Sequence, residues 1–100
     1  MTRPRRAAVV GGVRLPFAKA GGPYAQQSNQ DLLTATIDGL AGRFDLAGHR
    51  LGEVAGGAVL KHARDRDLTR ESVLGSLLAP TTPAYDVQQA CGTGLETVIH

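Results

Sequence analysis

The residues best placed to do chemistry are Val87-Gln88-Gln89-Ala90-Cys91-Gly92-Thr93-Gly94-Leu95, where an extended pattern meets a run of small residues and then a helical one. Cys91 falls at the bend. A thiol at a helix N-terminus faces unpaired backbone N–H groups and the positive end of the helix dipole, and both favour thiolate over thiol. A sulfur nucleophile can be made this way without a neighbouring cation. Small residues after it serve a second need, because an attacked carbonyl must come within about 3 Å of the sulfur and bulky neighbours would block it. The geometry is comparable to the serine elbow of hydrolases. The competing reading is a small buried hydrophobe at a strand end. Cys91 is the sole cysteine, so no internal disulfide can form, and the thiol is either inert or chemically active.

Other candidates carry less chemistry. Val10-Gly11-Gly12-Val13 follows an apolar run, but the G-x-G-x-x-G spacing of a dinucleotide site fails and no Gly-Lys-Ser/Thr of a phosphate loop occurs. His49, His62 and His100 are far apart in sequence, with no i, i+4 pair and no Cys partner, so no metal site is expected. Asp65 and Asp67 point to opposite sides if extended, and loop charge explains them better than paired acid and base work.

The elements that must position Cys91 alternate between strand and helix. Ala7 to Val13 is an apolar run without alternation, as in a strand covered on both faces. Ser28 to Phe44 carries Leu33, Ile37, Leu40 and Phe44 at helical spacing, with Ser28 and Asp31 set for a capping box. Val54 to Leu60 repeats the apolar run around Gly56 and Gly57, which would let neighbouring backbone approach closely. Lys61 to Arg70 is dense in charge and reads as a solvated loop. Glu71 to Ala79, with Val73, Leu74, Leu77 and Leu78 on one side, reads as a helix stopped by Pro80. Ala84 to Ala90 is extended and would put Tyr85, Val87, Gln89 and Cys91 on one face. Leu95, Val98 and Ile99 then begin a last helix. The order strand, helix, strand, helix, strand, helix predicts an α/β fold, with nothing marking a domain boundary within residues 1–100.

Composition agrees with a packed protein. Of 100 residues, 42% are hydrophobic and 20% charged, without the polar excess of a disordered chain. The net charge of +2 is scattered apart from Arg3, Arg5 and Arg6, so no nucleic acid is implied. Residues 1–13 superficially suggest a targeting peptide, but Gly11, Gly12 and Arg14 interrupt the apolar stretch. No run approaches the roughly 20 apolar residues of a membrane span, and a cytoplasmic protein without membrane insertion is expected.

Residues 83–99 closely resemble the active-site segment of the thiolase family, in which a strand ends in a reactive Cys followed by Gly or Ala, then Ser or Thr, then a buried helix. Collinear matches extend the likeness over nearly the whole chain. Residues 8–19 resemble the family's first strand and its Arg-Thr-Pro-Phe-Gly-Lys turn, with Leu15 and Ala18 as departures. Glu53 to Leu60 looks like its second strand. Leu68-Thr69-Arg70 falls where the family often starts a helix with Asn-Pro-Ala-Arg. Gln88 to Thr93 looks more like the thiolases of fatty-acid β-oxidation than the biosynthetic acetoacetyl-CoA type.

The resemblance implies a layered αβαβα thiolase fold, of which this chain would hold the first strand–helix units of the N-terminal half. It also implies an acyl-CoA C-acyltransferase in which Cys91 takes the acyl group of a 3-ketoacyl-CoA, with coenzyme A and acyl-CoA as substrates and no separate cofactor. The Cys91 backbone N–H would help hold an oxyanion. A homodimer or tetramer formed through Ala84 to Ala90, and a β-oxidation multienzyme partner, are carried over in the same way. Thiolases also use a His that activates the Cys, a second Cys and an Asn–His pair, none of which can be placed here, nor can any coenzyme-binding residue. The chain therefore reads as a partial thiolase, inactive alone, with apolar strand faces that lack partners. Two alternatives remain: a ketoacyl-synthase-type condensing enzyme, disfavoured by the Arg14 to Lys19 turn, and a non-catalytic thiolase-like scaffold in which the Cys survives as packing.

Overall fold

The computed structural model describes residues 5–60 and 67–100. Helix α1 spans Asn29–Arg43 and starts as its sequence predicts. The Ser28 Oγ accepts from the Asp31 N–H at 3.0 Å and the Asp31 carboxylate accepts from the Ser28 N–H at 2.9 Å. Two orphan donors of the first turn are thereby satisfied reciprocally. Ile37 and Ala41 form the buried stripe of α1, with Leu33 packed beside them.

Strand β1 (Val54–Gly56), helix α2 (Leu68–Leu74) and strand β2 (Ala84–Asp86) make one βαβ unit. The strands are parallel and pair Val54 with Ala84, Ala55 with Tyr85 and Gly56 with Asp86. Parallel pairing needs a long crossover, and α2 provides it. Val73 of α2, Leu78 after it and the α1 stripe close the core, against which Leu46, Leu51, Val54 and Ala84 pack. Burying a side chain the size of Ile37, Val73 or Leu78 contributes about 1.5–3 kcal/mol. Polar ties hold the layers in register: the Asp38 carboxylate accepts from the Leu77 N–H at 2.8 Å, and Thr69 donates through N–H and Oγ1 to the Asp86 carboxylate at 2.9 and 2.6 Å. A single 3₁₀ turn (Ala90–Gly92) leads into helix α3 (Thr93–Ile99).

Several boundaries differ from those predicted. Ala7 to Val13 forms no strand and is solvent-exposed, with Val9 93% accessible. A strand exists through its ladder, and the only sheet among the described residues pairs β1 with β2. The run instead lies along the end of α1, where Arg43 donates to the Gly12 carbonyl at 3.2 Å. The second and third strands are three residues each, half-buried, because side-chain hydrogen bonds replace the ladder beyond Gly56 and Asp86. Helix α2 begins at Leu68, where the family resemblance put a helix start, and stops at Leu74. After Gly75, a turn closed by the Ser76 hydroxyl on the Val73 carbonyl buries Leu78 but leaves Leu74 and Leu77 about half exposed. The one-sided stripe drawn over Glu71 to Ala79 is therefore wrong. Of the predicted Lys61 to Arg70 loop, residues 61–66 lie outside the described residues, and the remainder enters α2. No helix among the described residues is long and apolar enough to cross a membrane.

Candidate functional site

Cys91 stands in the 3₁₀ turn between β2 and α3, exposed to solvent. The bend predicted from its neighbours is present, but built differently. Regular extension ends at Asp86, so Tyr85, Val87, Gln89 and Cys91 do not share one strand face. The reversal occurs at Ala90, whose φ of +46° lies in the left-handed region that residues with a Cβ seldom occupy. Burial of Cys91 as a packing residue is contradicted by its exposure. No hydrogen bond reaches its sulfur among the described residues, so the backbone of the turn alone sets its position.

Side chains on either side hold that backbone. Thr93, 4% accessible, accepts from the Gln89 N–H at 3.0 Å and lies 2.7 Å from the Ala90 carbonyl and 3.1 Å from Gln88 Oε1. Gln88 Oε1 accepts from the Ala90 N–H at 2.7 Å, while its Nε2 donates to the Ala58 carbonyl at 2.9 Å. The Gly92 N–H donates to the Gln89 carbonyl at 2.9 Å. Beneath the turn, a Cβ on Gly57 would overlap the Val87 carbonyl oxygen and stand 2.7 Å from the Thr93 methyl. One on Gly56 would stand 2.6 Å from Thr69 Oγ1. The two central glycines thus serve the close backbone approach their sequence position suggests.

Sequence reasoning treated the residues after Cys91 as steric space and missed Gln88 and Thr93 as ties. A Thr at a helix start can donate its hydroxyl back to the carbonyl three residues before it, so part of that signal was present. Nothing in the sequence marks Ala90 for positive φ.

Of the remaining candidates, those among the described residues make no hydrogen bond to Cys91. The His49 N–H donates to the Leu46 carbonyl, and its own carbonyl accepts from Ala79. His100 Nε2 lies 3.1 Å from Glu96 Oε1, and its ring stands edge-on to Tyr85 with centroids 6.0 Å apart. Asp67 is the residue before α2, with no side-chain cap bond. His62 and Asp65 lie outside the described residues. Among the described residues no three His, Cys, Asp or Glu side chains gather as a metal site would require. Tyr85 donates to Glu53 Oε1 at 3.3 Å. Partial burial, and then the Glu53 carboxylate that its phenolate would face, hold its phenol above the usual value.

Residues 7–100 match the family described as thiolase, N-terminal domain. The 3-ketoacyl-CoA thiolase of Photorhabdus laumondii is 32% identical over 93 residues, covering 93% of this chain and 21% of the relative. That of Aliivibrio fischeri is 34% identical over 92 residues, covering 92% and 21%. The mitochondrial trifunctional enzyme subunit beta of Mus musculus is 32% identical over 83 residues, covering 83% and 18%. The chain spans about a fifth of the length of these relatives. With the likeness running collinearly through the βαβ unit and the Cys91 turn, the chain belongs to the thiolase family, and residues 7–100 are its N-terminal domain segment.

Proposed function

We propose that this segment supplies the nucleophile of an acyl-CoA C-acyltransferase that cleaves 3-ketoacyl-CoA, or runs the reverse condensation, in fatty-acid β-oxidation. Cys91 sulfur attacks the keto carbon, and the bond from that carbon to the α-carbon breaks. Its electron pair passes to the α-carbon, which is protonated and leaves as acetyl-CoA. The thiol of a second coenzyme A then takes the acyl group from Cys91. Sulfur suits both halves, being a strong nucleophile and a good leaving group. The observation that carries this reading is an exposed, lone thiol at the apex of a turn fixed from both sides. Relatives named 3-ketoacyl-CoA thiolase support the substrate class.

The other catalytic groups of the family have no counterpart assigned here, so this chain alone is expected not to turn over. The exposed apolar side chains of Val9, Val10, Leu95, Val98 and Ile99 fit a segment that works within a larger assembly. A homo-oligomer joined along β2, association with other β-oxidation enzymes and a cytoplasmic location complete the proposal. The name of the mouse relative, a trifunctional enzyme subunit, supports the multienzyme element.

Two proteins test it: the isolated chain, and a chimaera in which this chain replaces the matching fifth of the Photorhabdus laumondii thiolase. Given acetoacetyl-CoA and coenzyme A, the chimaera should form acetyl-CoA, and Cys91→Ser should abolish it. The isolated chain should form none. Sustained turnover by the isolated chain, or by the Cys91→Ser chimaera, would refute the reading.

A further inference from the structure

We propose that Gln88 is the positioning residue of the Cys91 turn, its carboxamide locking the bend that presents the sulfur and so setting how fast the thiol reacts. This rests on Cys91 as nucleophile and adds a residue that controls it.

Ala90 holds a φ of +46° at a cost, because its Cβ crowds the backbone there. The offset must come from its own polar groups. The Ala90 N–H is taken by Gln88 Oε1 at 2.7 Å, and its carbonyl by the Thr93 hydroxyl at 2.7 Å. Thr93 opens α3 with its methyl against Gly57, yet its hydroxyl bonds only Gln88, Gln89 and Ala90, so its hydrogen bonds cannot fix the turn to the rest of the fold. Gln88 can, because Nε2 reaches across to the Ala58 carbonyl at 2.9 Å and the Val59 carbonyl at 3.4 Å. The direction of the amide is dictated by its surroundings. Reversed, it would set donor against the Ala90 N–H and acceptor against the Ala58 carbonyl.

The strip that Gln88 grips is itself anchored. Asn29 Nδ2, at the start of α1, donates to the Leu60 carbonyl at 2.7 Å. Three successive carbonyls leaving β1 therefore accept from side-chain amides, one from α1 and one from the Cys91 turn. Through this seam the position of Cys91 is referred to α1 as well as to the sheet. Without the Gln88 amide, Ala90 is free to return to a favoured φ, which rotates the Cys91 backbone and its sulfur with it.

Gln88→Met, made in the chimaera described above, tests this, since Met has similar length but no amide. Asp38→Ala serves as a control that removes the tie from α1 to Leu77 and leaves the seam between Asn29 and Gln88 intact. Circular dichroism checks the fold, hydrogen exchange reads the Ala90 amide, and iodoacetamide reads the rate of Cys91 alkylation. Gln88→Met should lose Ala90 protection and slow alkylation about fivefold or more, toward the rate of the chain unfolded in denaturant. Asp38→Ala should do neither. Should Gln88→Met not fold, Gln88→Glu, which sets a carboxylate oxygen against the Ala58 carbonyl in place of a donor, should likewise slow alkylation. Wild-type alkylation by either folded variant overturns the positioning role alone. In the chimaera, a folded wild-type Cys91 that alkylates no faster than it does in the unfolded protein overturns the nucleophile reading beneath it.

Discussion

Gly57 passes so close to the Val87 carbonyl that even a methyl group would overlap its oxygen. The obstacle is backbone and cannot swing aside. Gly57→Ala is therefore expected to destabilise the fold by about 1–3 kcal/mol, whereas Gly52→Ala, with nothing within 4 Å of the added carbon, should be nearly neutral. Urea unfolding followed by circular dichroism compares the two.

A second expectation concerns the tie between α2 and β2. Thr69 is fully buried and gives both its N–H and its hydroxyl to Asp86. Asp86→Ala leaves two buried donors unpaired and should cost about 1–3 kcal/mol. Thr69→Val, which removes only the hydroxyl, should cost less. Equal losses in the same unfolding assay would show that the N–H bond contributes nothing.

The cap of α1 gives a smaller, local effect. Ser28→Ala removes the acceptor of the Asp31 N–H and should cost about 1 kcal/mol. Unfolding midpoints would reveal it, and an unchanged midpoint would mean that the capping box does not stabilise α1.

Titration of Tyr85 provides a pH test. Its phenol is held above the usual value by partial burial and by Glu53, so the folded chain binds this proton more tightly than the unfolded one. The associated stabilisation is present below the unfolded phenol value near pH 10 and is lost as pH rises through the higher folded value. In a Tyr24→Phe background, tyrosinate absorbance should rise later in the folded chain than in the unfolded one. Glu53→Gln should bring the two curves closer.

Much of this arrangement was legible in the sequence where local chemistry decides it. Ser28 and Asp31 announce a cap that needs no distant partner, and Gly56-Gly57 mark a close approach. The bend at Cys91 followed from small residues between two apolar patterns. Elements that depend on neighbours were harder to read. Ala7 to Val13 has the composition of a buried strand, yet composition supplies no ladder. The lengths of β1 and β2 were overread because Gln88, a polar residue in an extended run, takes backbone partners that a strand would have used. Ala90 carried no signal, since its conformation is imposed by Gln88 and Thr93 rather than by its own side chain.

The claim on which the rest depends is that an acyl group travels on Cys91, and trapping it is the most direct measurement. The chimaera bearing this chain is mixed with acetoacetyl-CoA, quenched in acid within one turnover and mapped by peptide mass spectrometry. An acetyl thioester on the peptide containing Cys91, discharged by added coenzyme A, is the predicted result. An active chimaera whose acyl group sits on any other residue, or on none, would contradict it.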